Sequence, residues 1–228
     1  MRLPLVASLI VTAFSSFASA DARFAQPPPG SAPRVAQVDP WEHTEDLPPV
    51  MVDRDTVRAK LAANRQANLG RFRAYQNAGV FPSNTYTQAK LNVWLDEQGH
   101  FCAAATIIRN SGQVELANTV AERSNFIRLG DVTQGPVMDW ILTSGLTQVE
   151  IAAIQEPFEG VGGGRMREPM PQPVAVVDPG LRKREDARLR AKYKQVEAQI
   201  LKQAAASLDA ATDRLMRNPA LASQLLNG

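Results

Sequence analysis

Cysteine and histidine are almost absent. The chain has one cysteine, Cys102, and two histidines, His43 and His100, among 228 residues. A single cysteine cannot close an internal disulfide, so the fold must stand on packing. A tight transition-metal site needs three or four preorganised ligands, and two histidines far apart do not supply one. No metal and no cofactor is expected. Aromatics make up only 6% of the chain, so the core must be largely aliphatic. Charge of one sign is also lacking. Lys and Arg number 25 against 23 Asp and Glu, for a net charge of +2. That balance implies no bulk electrostatic partner such as nucleic acid. Past residue 17, no run is long and apolar enough to span a bilayer.

One apolar run does stand out, at the start. Arg2 is followed by an uncharged stretch from Leu3 to Phe17, then Ala18-Ser19-Ala20 and Asp21. A positive start, an apolar segment and an A-x-A triplet are the three parts of a secretory signal. The run is shorter than the roughly 20 residues a spanning helix needs. Residues 1–20 are therefore expected to be a signal cleaved at Ala20-Asp21, and the chain to be periplasmic or secreted.

Residues 21–52 carry prolines at 27, 28, 29, 33, 40, 48 and 49 and show no apolar period. Proline removes amide donors and fixes the backbone, so a disordered tether is expected. A folded domain is expected over 53–157. Asp53 or Asp55 can cap a helix that Asn77-Ala78-Gly79 ends, with Val57, Leu61, Leu69, Phe72 and Tyr75 on its apolar side. Arg58, Lys60, Arg65, Arg71 and Arg73 fall on the other positions and read as a solvated face. Leu91 to Asp96 and His100 to Ile108 then flank a turn with Asp first and Gly at its end. That pattern predicts a β-hairpin, 91–96 with 100–108. The alanines at 103–105 favour helix and leave an all-α alternative open. Short helices are expected over about 113–124 and 136–143. Thr147 and Glu150 have capping-box spacing for another that ends before Pro157.

Residues 158–178 read as a Gly/Pro linker. The run Gly160-Val161-Gly162-Gly163-Gly164 lacks the Lys-Ser/Thr pair of a phosphate loop; Arg165-Met166-Arg167-Glu168-Pro169 follows it. Asp178-Pro179 then opens a long amphipathic helix, 179–217, with a tail over 218–228. Its stripe is Leu189, Tyr193, Val196, Ile200, Ala204, Leu208, Ala211 and Leu215. Such a stripe must pack back on the domain, pair with a copy as a coiled coil, or receive a partner. The expected fold class is thus α+β: a helix-rich domain with one hairpin, plus the C-terminal helix.

Two candidate sites follow. Asp96, His100 and Cys102 could form a small hydrolase or thiol centre, because residues two apart on a strand share a face and a thiol beside an imidazole is the minimum for a cysteine nucleophile. The second is cationic. Arg182, Lys183, Arg184, Arg188, Arg190, Lys192 and Lys194 stand against only Glu185 and Asp186 between 182 and 194. Such a patch suits an acidic protein or an anionic envelope surface. The leading expectation is a non-enzymatic exported envelope protein that binds or assembles through its C-terminal helix. The rival is the enzyme centred on Asp96, His100 and Cys102.

Overall fold

Asp53 begins the first helix. Its carboxylate accepts the Thr56 amide at 2.8 Å, and α1 runs Arg54–Ala78. Gly79 stops it in the left-handed region, φ 63°, with its amide on the Tyr75 carbonyl at 3.1 Å. Glycine meets that conformation at no steric cost. The structure is a computed structural model that describes residues 51–162 and 176–227. The expected signal, nearly all of the 21–52 tether, and residues 163–175 of the expected linker lie outside those residues.

After α1 come α2 (Ala103–Asn110), α3 (Val114–Ser124), a 3-10 turn (Leu129–Asp131), α4 (Pro136–Thr143) and α5 (Gln148–Ile154). The C-terminal part holds α6 (Pro179–Lys202), α7 (Ala204–Met216) and α8 (Pro219–Asn227). Gln203, at φ −101° and ψ 10°, separates α6 from α7. The full capping box forms at α5: Thr147 Oγ1 accepts the Glu150 amide, and Glu150 Oε2 accepts the Thr147 amide at 2.8 Å.

The expected β-hairpin does not exist, and the class is all-α rather than α+β. No strand forms among the described residues; pairing is limited to isolated bridges such as Leu91 with Phe158 and Leu95 with Phe101. The turn itself is present. Gly99 takes φ 86°, and its amide donates to the Asp96 carbonyl at 3.1 Å. Beyond it the chain enters α2 instead of a second strand. Cys102 is the cap, its sulfur 3.4 Å from the Ala105 amide. Ala103, Ala104 and Ala105 are all fully buried. Their small side chains let a helix of high intrinsic propensity sit between α1 and α3, and that outweighs a weak two-stranded pairing.

The main core gathers Phe72, Trp94, Ile107, Ile108, Ile151, Ile154, Phe158, Leu189 and Tyr193. The stripe of α6 is part of it: Leu189, Tyr193, Val196 and Ile200 pack against α1 and α5. The Tyr193 ring meets Phe72 edge-on at 5.5 Å and Phe81 at 5.5 Å. Each such burial contributes about 1.5–3 kcal/mol before chain entropy is counted. A smaller core joins the two ends of the described chain, with Val57 and Leu61 of α1 against Leu208, Leu215 and Ala222.

Arg65 departs from the solvated face expected of it. It is 5% exposed. Its guanidinium holds Glu150 through two bonds, at 2.8 and 2.6 Å, and donates to the carbonyls of Gly145 at 3.0 Å and Ile200 at 3.2 Å. One buried pair therefore ties α1, α5 and α6 together.

Candidate functional site

Asp96 sits where the turn after residue 95 needs an acceptor. One carboxylate oxygen accepts the amides of Gln98 at 2.9 Å and His100 at 2.8 Å. The other accepts the Ser83 amide at 2.9 Å and lies 3.2 Å from His100 Nδ1. Asp96 is buried, so these contacts are what keep its charge solvated. His100 is its partner at the surface, with 34% of its side chain exposed.

Cys102 does not join them. The backbone changes from turn to helix cap between residues 100 and 102, so the alternation of a strand no longer applies. The thiol is fully buried under α2. Burial pushes it up to about 12, more than the Ala105 and Ala104 amides can offset. A thiol held that high stays protonated at neutral pH, whereas nucleophilic attack requires the thiolate. Among the described residues, no group of three or more His, Cys, Asp or Glu side chains is placed to hold a metal ion.

The cations of α6 divide into two sets. Arg182 pairs with Asp186 and donates to the Pro82 carbonyl at 2.8 Å and to Ser83 Oγ at 3.2 Å. Arg188 binds Glu185 at 2.7 Å and Glu156 at 2.5 Å, and donates to the Pro157 carbonyl at 2.8 Å. The Glu185 hydrogen bond, against some loss from burial, raises its pKa above the ordinary guanidinium value. Arg190 lies over the Phe81 ring at 5.5 Å and donates to the Gly79 carbonyl at 3.3 Å. Lys192 reaches Glu156 at 3.8 Å. These four residues fasten α6 to the rest of the fold. Lys183, Arg184 and Lys194 are exposed and form no ion pair among the described residues.

That division has a geometric reason. Lys183, Ala187, Ala191 and Lys194 follow helical spacing, so they line one outward strip about 16 Å long. Both alanines are exposed. The strip is therefore low, with cations at its ends and Arg184 beside it. Counting charges along the sequence finds the patch. It does not tell the three free cations from the four fastening ones, because the acids that bind Arg188 and Lys192 include Glu156, more than thirty residues away.

A further feature escaped the sequence reading. A groove of about 530 Å³ opens between α5 and α7, lined by Leu142, Leu146, Val149 and Ala210, with Arg214 at its edge. Its walls come from segments about sixty residues apart. The signal that could have pointed to it is the pair Ala210-Ala211 between Leu208 and Leu215, where small side chains leave space.

Compared with protein families, curated proteins and solved structures, the chain matches none.

Proposed function

We propose that this chain is an exported, non-enzymatic binding protein that holds an anionic surface of the cell envelope against the outward strip of α6. The observation that supports the reading is the sorting of the α6 cations: four fasten the helix and three, Lys183, Arg184 and Lys194, face outward with no acid paired to them among the described residues. Export is supported by the arrangement of Arg2, the apolar run and Ala18-Ser19-Ala20. Among the described residues, no helix is long and apolar enough to cross a membrane. The apolar stripe of α6 is buried in the chain's own core, which leaves the cationic side as the part of this helix able to meet a partner.

Each cation near an anionic lipid surface strengthens binding about fivefold. The test is co-sedimentation with vesicles of neutral or anionic phospholipid. Anionic vesicles should retain the protein at low salt and release it at high salt. The variant Lys183→Glu/Arg184→Glu/Lys194→Glu should bind at least a hundredfold more weakly, at an unchanged melting temperature. Equal binding of variant and wild type, or of neutral and anionic vesicles, refutes the reading. N-terminal sequencing of the exported protein should start at Asp21.

A further inference from the structure

The groove between α5 and α7 has the makings of a small-molecule site. Its volume, about 530 Å³, falls in the usual range for such sites, about 300–1,000 Å³. The floor is rigid, because Ile141, Leu146 and Ala211 are core residues with 1%, 2% and 6% exposure. One wall is Val149, a large apolar side chain left 80% exposed although it sits beside core helices. The opposite wall is Ala210, whose small side chain keeps the groove open.

One charged group looks onto this apolar surface. Arg214 donates to Gln148 Oε1 at 3.0 Å and to Met138 Sδ at 3.5 Å, both uncharged acceptors. It forms no ion pair among the described residues. Two arginines of α1 that meet α7 do: Arg54 binds Asp213 at 2.7 Å and Arg58 binds Asp209 at 2.7 Å. The guanidinium is also held in place. Gln148 Nε2 donates to the carbonyls of Leu129 at 2.9 Å and Val132 at 2.7 Å, which leaves its amide oxygen to orient Arg214. A fixed, acid-free guanidinium at the mouth of an apolar groove complements a carboxylate that carries an aliphatic chain.

We infer that this groove binds a free long-chain carboxylate, with its tail along Leu142, Val149 and Ala210 and its head on Arg214. The site lies on α5 and α7, apart from the cationic strip of α6, and does not depend on that strip's role.

Dodecanoate, kept below micelle-forming concentration, is the probe, and titration calorimetry the measurement. The wild-type protein should bind one equivalent saturably, and dodecyltrimethylammonium, the cation of equal chain length, at least tenfold more weakly. Arg214→Gln should weaken dodecanoate binding about tenfold or more, the range of a hydrogen bond to a charged group. Ala210→Phe, at an exposed position, should fill the groove and abolish binding. Val149→Asp, also exposed, should do the same through charge and serves if the first variant unfolds. The proposal is overturned by absence of saturable binding, by equal affinity for carboxylate and ammonium, or by folded Ala210→Phe or Val149→Asp protein that binds as the wild type does.

Discussion

Replacing Arg65 by methionine removes the tie among α1, α5 and α6. The Arg65 and Glu150 side chains are each only 6% exposed. Arg65→Met keeps the aliphatic volume and removes the guanidinium. Glu150 is then a buried carboxylate whose remaining donors are the Thr147 amide at 2.8 Å and the Ser207 hydroxyl. Removing one partner of a buried pair costs about 3–5 kcal/mol, chiefly because the other charge stays behind. For a chain of this size each kcal/mol lowers the melting temperature by about 2–4 °C, so the expected drop is roughly 6–20 °C. The double variant Arg65→Met/Glu150→Leu removes both charges and should recover part of the loss, since an apolar replacement of a buried pair is often neutral while the Thr147 amide loses its capping-box acceptor. The assay is thermal and urea unfolding followed by circular dichroism. Acid sharpens it. Burial opposes ionisation of Glu150, yet the Arg65 hydrogen bonds, the Thr147 amide and the Arg65 charge outweigh it and hold the carboxyl below its ordinary value of 4.5. A depressed folded pKa stabilises above the unfolded value and loses that contribution as pH falls through the folded one. Wild-type stability should therefore decline below about pH 4.5 more steeply than that of the double variant. A single-variant loss under about 1 kcal/mol, or a double variant as unstable as the single, would refute the reasoning.

Two further outcomes follow from local geometry. Cys102 should resist alkylation in the native protein and react fully in denaturant; modification at the rate of a free thiol in folded protein would contradict its burial. Gly145→Ala should cost about 2–5 kcal/mol, from the left-handed backbone plus overpacking, because a Cβ would stand 2.7 Å from the Arg65 amide nitrogen. Gly112→Ala, at φ 97° with nothing within 4 Å, should cost the backbone part alone, about 1–2 kcal/mol. Equal losses in the two would show that crowding around Gly145 is not what matters.

What the sequence made legible was local. Asp53, Gly79, Pro136, Thr147 with Glu150, and Asp178 mark helix ends through contacts within a few residues, and helices begin or end there. The hairpin was misread for the opposite reason. Residues 91–96 look like a strand, but they are held by distant groups: Leu91 by Phe158, and Trp94 and Leu95 by Asn125. Cysteine is also not among the usual capping residues, which hid the start of α2 behind Ala103–Ala105. Arg65 looked solvated because its partner is 85 residues away. At the candidate sites, the pairing of Asp96 with His100 lay within one turn. The burial of Cys102, the division of the α6 cations and the groove beside Arg214 all depend on which elements come together.

The closing of the small core carries a consequence for synthesis. Val57 and Leu61 are covered by Leu208, Leu215 and Ala222, with Leu142, Met216 and Leu221 packed beside them. Among the described residues, the first helix is finished by the last ones. Contacts of such long range form slowly, and none of these can form until α7 and α8 have been made. Until then this end of α1 lacks that cover. Truncation before α7 would therefore uncover α1 as well as remove the last helices.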